Sequence, residues 1–228
     1  MRVIKEFISI VYPNICSACD RPLSGGELAV CSKCRSELPR TGYHLMPENP
    51  VTLLFAGKSH IGQATSLLFF RKGGHIQQML HKLKYEGRSD VGYALGLMLA
   101  EELRHAPDFG DVDLIAPVPL HPRKLHLRGF NQAALIAEGM AVGLHKTHAR
   151  HLLRRTRHVA SQTRKNVWER FKNVAEIFEV SEPNTVRGKK ILLVDDVITT
   201  GATLSQCANA VLAIPDTQVS VASAAIAR

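Results

Sequence analysis

Apolar runs and helical patterns alternate along the chain and predict an α/β fold. The strongest run, Ile191 to Val194, is typical of a strand buried on both faces of a parallel sheet. Two carboxylates end this run, and Leu204 to Leu212 then has the pattern of a helix. Residues 113–120 and 219–226 predict two further buried strands. Because open α/β sheets bind ligands beyond the carboxyl ends of their strands, the segment after Val194 is a candidate site.

Helical spacing of apolar residues predicts the elements that cover this sheet. The predicted helices span residues 75–84, 89–103 and 132–144. Gly92, Gly96 and Ala100 give the second helix a narrow face suited to close packing. Asn131 precedes the third helix and is a plausible N-cap.

Proline and glycine positions suggest three parts in the 228-residue chain. Pro47, Asn49 and Pro50 predict a linker. The stretch from Phe55 to Phe70 mixes apolar residues with glycines and predicts one or two strands. We therefore expect a small module in residues 1–45, a connecting or hood region in 46–110 and the α/β core in 111–228.

Four of the five cysteines form two CxxC pairs in the first part of the chain: Cys16, Cys19, Cys31 and Cys34. Four thiolates suit the tetrahedral coordination of Zn²⁺, and a site filled by protein ligands is structural. A redox dithiol pair is the alternative, which two adjacent CxxC pairs favour less. Residues 35–60 contain no cysteine, so one zinc is expected, and Cys207 is interpreted as a small core residue.

The segment after the apolar run carries groups suited to a sugar phosphate. Thr199, Thr200 and Thr203 supply hydroxyls, Gly201 allows close backbone approach, and the next helix directs its N-terminus at the loop. Asp195 and Asp196 suit vicinal ribose hydroxyls, with Mg²⁺ as a further partner. A Walker B strand is the alternative, but no G-x-x-x-x-G-K-[ST] occurs in the chain. The expected phosphoribosyl-binding residues are Asp195, Asp196, Thr199, Thr200, Gly201, Ala202 and Thr203.

Residues 191–204 resemble the diphosphoribosyl-binding motif of type I phosphoribosyltransferases. Pro-Val-Pro-Leu at 117–120, Arg-Gly-Phe-Asn-Gln at 128–132 and Glu-Arg-Phe-Lys-Asn-Val at 169–174 resemble the ComF/GntX family, which is associated with DNA uptake and competence. The resemblance implies a type I phosphoribosyltransferase-like parallel sheet flanked by helices, with an N-terminal zinc ribbon. It also implies a pyrophosphate site, with generic surface charge as the alternative for each candidate: Arg123, Lys124, Arg128 and Lys84.

A net charge of +9 and a pI near 9.5 favour an anionic partner. Residues 146–172 hold nine lysines and arginines against Glu169 alone, interleaved with Trp168 and Phe171. This composition suits single-stranded DNA, although a solvated basic face and, for Trp168, core packing are alternatives. The candidate nucleic-acid residues are Arg154, Arg155, Arg157, Arg164 and Lys165.

The function implied by the resemblance is that of a ComF-type protein that binds phosphoribosyl diphosphate and single-stranded DNA during DNA uptake. The alternatives are an active phosphoribosyltransferase, whose acceptor has no recognisable signature here, and a regulator that only senses the donor. No apolar stretch approaches the roughly 18–20 residues of a membrane span. We therefore expect a cytoplasmic protein, not a membrane protein, in contact with membrane-associated uptake machinery.

Overall fold

A five-stranded, wholly parallel sheet forms the centre of the computed structural model, which describes residues 14–156 and 178–227. Its strand order is β1-β7-β6-β2-β3. The strands are β1 Ala64–Phe70, β2 Leu114–Pro117, β3 Thr147–His148, β6 Lys190–Ile198 and β7 Gln218–Ala227. The expected α/β class with a parallel sheet is confirmed.

Helices flank this sheet. The longer ones are α3 His75–Tyr85, α4 Ser89–Leu103, α7 Gln132–Leu144 and α9 Ala202–Leu212. The shorter ones are α1 Ser32–Glu37, α2 Pro50–Leu53, α5 Pro107–Gly110, α6 Pro122–Arg128 and α8 Pro183–Val186. Asn131 caps α7, as predicted, because its side-chain oxygen accepts from the Ala133 N–H at 3.1 Å.

Both faces of β6 are covered, as its unbroken apolar run predicted. Leu192 and Val194 pack into the cluster formed with α3, α4 and α7. Ile191 and Leu193 pack into the opposite cluster, which includes Leu204 and other residues of α9. Successive side chains of a strand alternate between faces, so two apolar layers require every residue of the run to be apolar.

Helices α4 and α7 cross closely because both present glycine at the contact. A Cβ at Gly96 would lie 2.1 Å from the Ile136 carbonyl oxygen, and one at Gly139 would lie 2.2 Å from the Tyr93 carbonyl oxygen. Neither distance is compatible with a side chain, which explains the small-residue face noted in the sequence.

The stretch from Phe55 to Phe70 contains one strand, β1, which agrees with the prediction of one or two. Two other local expectations are corrected. Strand β6 does not stop at the carboxylates but continues through Asp195 and Asp196 to Ile198. Asn49 lies in a buried capping box at the start of α2, rather than in a linker, because its side chain accepts from the Val51 and Thr52 N–H groups.

Strand β1 belongs to the main sheet, where it pairs in parallel with β7. Part of the region that we assigned to a connection or hood is therefore an edge of the central sheet. The division at residue 110 stays a prediction. A second, antiparallel sheet pairs β4 Leu153–Arg155 with β5 Phe178–Val180. In the sequence, β4 precedes and β5 follows residues 157–177. These residues, which include Trp168 and Phe171, lie outside the described residues.

Within residues 14–156 and 178–227, no helix is both long and apolar enough to cross a membrane.

Candidate phosphoribosyl-binding cleft and four-cysteine cluster

Strands β2 and β6 lie side by side, but the helices that follow them cover opposite faces of the sheet. Helix α7 follows β2 and packs with Leu192 and Val194, whereas α9 follows β6 and packs with Ile191 and Leu193. The loops that connect these two strands to their helices therefore diverge at the carboxyl edge of the sheet and leave a crevice between them. A cavity of about 210 Å³ occupies this position.

The cavity brings residues from distant parts of the chain together. Its charged lining consists of Lys84 from α3, Lys124 and Arg128 from α6, Arg155 from β4, and Asp195 and Asp196 from β6. Its other polar lining residues include His121, Asn131, Gln132 and Thr203. Four permanent cations therefore face two carboxylates across a small space, which is the arrangement needed to hold an anion beside a polyol.

The two carboxylates have different neighbours because they occupy successive positions of β6. Asp196 pairs with Lys84, whose Nζ lies 2.6 Å from Oδ2, and both side chains are largely buried. Asp195 lies on the side of α9, where its charge adds to burial in raising the pKa of Cys207. The Asp195 Oδ1 also accepts the Asp196 backbone N–H at 2.8 Å.

Burial raises the pKa of Asp195, and the adjacent charge of Asp196 raises it further, to about 7. The Asp196 N–H and the Lys84 ammonium oppose this rise but do not cancel it. The Asp195 carboxyl group therefore loses its proton near neutral pH, although cationic side chains also line the cavity. Such a group strengthens as an acceptor when it ionises.

The threonine loop lies at the start of α9 and next to the cavity. Gly201 has φ +73°, in the left-handed region, and no side chain among the described residues caps the helix. Thr203 lines the cavity, whereas Thr199, Thr200 and Ala202 are exposed in the turn and do not line it. The Thr200 hydroxyl accepts from the Ala202 N–H at 3.4 Å, and the N-terminus of α9 faces a loop that can receive a phosphate.

The other predicted site residues separate into three groups. Lys84, Lys124 and Arg128 line the cavity, but Arg123 does not. Arg155, which we predicted as a nucleic-acid residue, lines the same cavity, with its guanidinium carbon 5.5 Å from the Phe178 ring centroid. Arg154 instead points to Glu179 at 2.8 Å. Arg157, Arg164 and Lys165 lie outside the described residues.

Lys58 is a candidate that the sequence reasoning missed. Its Nζ donates to the Thr200 carbonyl oxygen at 3.5 Å, so it sets a cation beside the threonine loop from 142 positions away. Arg88 pairs with Asp90 and donates to the Ile15 carbonyl oxygen, and it does not line the cavity. The position of Lys58 had no local sequence signal, because it depends on how the segment before β1 packs against the start of α9.

The four cysteines of the CxxC pairs converge near the N-terminal end of the described chain. Their Sγ atoms all lie within 4.8 Å of one another, which is close enough to hold a metal ion such as zinc. The Ala18 and Cys31 N–H groups point at the Cys16 Sγ at 3.4 and 3.3 Å. Burial opposes ionisation of Cys16, but these N–H groups outweigh it and lower its pKa to about 7. Thiolates are the form that binds metal.

The cysteine module docks on the helices beside the cavity. Lys82 of α3 pairs with Asp20, and Gln78 donates to the same carboxylate at 2.8 Å. Arg35 of α1 pairs with Glu101 of α4 at 2.5 Å. Lys82 and Lys84 are two residues apart, so one turn of α3 contacts both the cysteine module and the cleft.

The fold and these two sites define an α/β protein with a cleft lined by cations at a sheet switch point and an attached four-cysteine module. It belongs to the ComF/GntX family. DNA utilization protein YhgH of Escherichia coli K12 is 30% identical over 216 residues, which cover 89% of this chain and 92% of that protein. Competence protein F of Haemophilus influenzae is 24% identical (87% and 84% covered), and competence protein ComFC of Bacillus subtilis 26% (89% and 90%).

No family model matches the chain. Among solved structures, a glutamine phosphoribosylpyrophosphate amidotransferase from B. subtilis, complexed with ADP and GMP, is similar with a TM-score of 0.44 and 21% identity. The similarity covers 63% of this chain and 30% of that one.

The raised pKa of Asp195 predicts that the free energy of unfolding decreases as the pH rises. Between about 3.8 and about 7 the folded protein holds a proton that the unfolded chain releases, so deprotonation costs stability over that window. We expect Asp195→Asn to remove much of this loss, on the order of a few kcal/mol at pH 8. Chemical unfolding at pH 4, 6 and 8, without ligand or magnesium, measures it.

Asp216→Asn is the matched control, because this carboxylate is exposed and its positive φ suits asparagine. Equal pH dependence of wild type and Asp195→Asn would contradict the assignment.

Proposed function

We propose that this protein binds phosphoribosyl diphosphate with Mg²⁺ in the cleft between β2 and β6, and single-stranded DNA beside it, in DNA uptake and natural transformation. One observation carries the proposal: a single cavity holds Lys84, Lys124, Arg128 and Arg155 together with Asp195, Asp196 and Thr203. The names of the relatives, DNA utilization protein and competence protein, support the DNA-related part.

Each chemical part of the ligand has a matching group in the cleft. The threonine loop and the N-terminus of α9 suit the 5-phosphate. Asp195 and Asp196 suit the ribose hydroxyls, because ionised carboxylates accept hydrogen bonds from vicinal diols. Lys124, Arg128 and Arg155 suit the diphosphate, where the planar guanidinium groups can bind two oxygens at once.

Lys84 would change partner when the ligand binds. In the free protein its ammonium neutralises Asp196. A ribose hydroxyl that donates to Asp196 would leave Lys84 to turn towards the diphosphate. Binding then exchanges one ion pair for another, so the lysine need not be desolvated without a partner.

The chemistry of the donor set also fits magnesium. Carboxylate oxygens and phosphate oxygens are the ligands that Mg²⁺ prefers, and both would be present in the occupied cleft. Bound magnesium would supply partial neutralisation of the diphosphate. The protein's own cations neutralise the remainder and orient the ligand.

The DNA-binding part of the proposal rests on charge next to the cleft. Arg154 and Arg155 are neighbours on β4, one facing Glu179 and the other the cavity. The basic segment that begins before them accounts for most of the net charge of +9. We infer that a strand tracks along this segment, in a protein that acts in the cytoplasm with membrane-associated uptake machinery.

An active phosphoribosyltransferase is the second candidate. The observation that favours it is the cationic wall opposite the carboxylates, since stabilising a departing diphosphate is the main task of this chemistry. Release of pyrophosphate on mixing with the donor and a candidate acceptor would distinguish turnover from binding alone.

Zinc is proposed as the structural ion of the four-cysteine cluster. The protein should carry about one zinc per chain, and a chelator should lower its thermal midpoint, because a module this small has little apolar core of its own. Cys34→Ser should lose the metal. Cys207→Ala should keep it, since this thiol is buried in the core away from the cluster. Metal analysis of the purified protein is decisive, and a chain free of metal but fully folded would refute zinc.

Donor binding should depend on the carboxylate pair. Asp195→Asn and Asp196→Asn should each weaken phosphoribosyl diphosphate binding by about 10- to 100-fold, the effect of losing a charged hydrogen-bond acceptor. Calorimetric titration with magnesium measures this. Asp111→Asn is the matched control, because Asp111 is an exposed carboxylate at the opposite edge of the sheet. Wild-type protein that gives no binding heat would refute the donor site.

The two arginines of β4 should separate the two ligands. Arg154→Ala should weaken single-stranded DNA binding and reduce its salt dependence by about one phosphate contact, while donor binding is unchanged. Arg155→Ala should weaken both, because Arg155 lines the cavity. Fluorescence anisotropy over a salt series measures DNA affinity.

Arg187→Ala is the control for Arg154→Ala, since both arginines are 67% exposed and each faces one carboxylate. If Arg154→Ala and Arg187→Ala reduce DNA affinity equally, the strand does not follow β4.

A further inference from the structure

Helix α6 lies against the cleft and buries none of its side chains. It places Lys124 and Arg128 in the cavity lining, but Leu127 is 79% exposed and Leu125 is also exposed. Tyr85, at the end of α3, is 62% exposed. Leu127 directly precedes Arg128, which contacts the Tyr85 ring, so α6 and the end of α3 together present apolar and aromatic surface to solvent near the cleft.

Arg128 joins this surface to the cavity. It lines the cavity, and its guanidinium carbon lies 5.5 Å from the centre of the Tyr85 ring. Its Nη1 donates to the Gln132 Oε1 at 3.0 Å, whereas its buried Nε has no hydrogen-bond partner among the described residues. The arginine is thus partly satisfied and sits between a phosphate-sized cavity and an aromatic ring.

The charge on the helix side of this surface is positive, whereas on the Tyr85 side Glu86 lies 3.3 Å from the His81 Nδ1. No aspartate or glutamate occurs from residue 114 through residue 137, a stretch that includes all of α6. The helix itself carries Arg123, Lys124 and Arg128, with His126 between them. The carboxylates that the cavity offers, Asp195 and Asp196, lie at its sheet side. The partner is therefore an anion that also presents apolar or aromatic groups.

We propose that Tyr85, Arg128 and Leu127 form a base-stacking subsite at the mouth of the cleft, which holds a nucleobase of the single strand next to the phosphate in the cavity. This inference rests on the proposed function and places the end of the single-stranded DNA next to the donor site. Arg123, excluded from the cavity, would contact the backbone of this strand.

A nucleobase suits this surface better than an apolar peptide does. The Tyr85 ring is held by the Arg128 guanidinium and by the His81 ring, whose centroid lies 5.0 Å away. The His81 ring is tilted by 46° to the tyrosine ring rather than stacked on it, and Tyr85 is 62% exposed, so a planar base can lie against the open part of the tyrosine ring. The apolar contribution is limited to two exposed leucines of a seven-residue helix, which is little for a protein interface.

The test compares a thymidine oligonucleotide with an abasic strand of equal length and charge. Wild-type protein should bind the thymidine strand more tightly. Tyr85→Ala should weaken the thymidine strand about tenfold, within the range for one stacked base, and leave the abasic strand unchanged. Tyr85→Phe keeps the ring and should bind like wild type. Exposed Tyr85 contributes little to stability, so these variants should fold.

A second pair of variants tests the leucine. Leu127→Ser should weaken binding of the thymidine strand several-fold, whereas Leu45→Ser, at a leucine that is 69% exposed and does not line the cavity, should not. If wild type binds both strands equally, or Tyr85→Ala weakens both equally, the stacking subsite is refuted although strand binding stands. If neither strand binds, the proposed DNA function fails as well. Loss of phosphoribosyl diphosphate binding in Tyr85→Ala would instead make Tyr85 part of the donor site and refute the subsite.

Discussion

The parallel pairing of β2 with β6 is the constraint on which the cleft depends. Leu114 to Pro117 lie in register with Ile191 to Val194, and the helices that follow the two strands cover opposite faces of the sheet. The segments that follow β2 and β6 leave this edge towards opposite faces of the sheet. Neither segment can therefore fill the space between them. The continuous apolar run of β6 makes this geometry stable, since both of its faces are buried, and it fixes Asp195 and Asp196 at the edge where that burial ends.

Charge compensation then decides what the cleft can hold. Two adjacent carboxylates near the protein interior are unfavourable, and burial together with the neighbouring charge of Asp196 raises the pKa of Asp195. Lys84 compensates Asp196 directly, while Lys124, Arg128 and Arg155 line the same cavity and form no ion pair with a carboxylate within residues 14–156 and 178–227. A ligand that carries both hydroxyl donors and phosphate oxygens satisfies both sets at once, which neither a simple anion nor a simple sugar does.

The cysteine module is tied to this chemistry through one helix. Lys82 pairs with Asp20, which lies between the two CxxC pairs. Lys84, two residues further along α3, pairs with Asp196. Arg88, which directly precedes α4, donates a further hydrogen bond to the carbonyl oxygen of Ile15, the residue before the first CxxC pair. The four-cysteine module therefore supports the part of α3 that supplies a cation to the cleft.

The elements and the local chemistry could be predicted from the amino-acid sequence: the parallel sheet, the cap at Asn131, the CxxC spacing, and the run of carboxylates, threonines and glycine after Val194. These depend on residues that are close in the chain, so period and spacing reveal them. The folded chain was needed to find that Arg155 lines the cleft while Arg154 and Arg123 do not, and that Lys58 reaches the threonine loop. It also placed β1 in the central sheet. Such assignments depend on which segments meet across long separations, and basic residues at a surface have no periodic pattern that distinguishes one that faces a cavity from one that faces water.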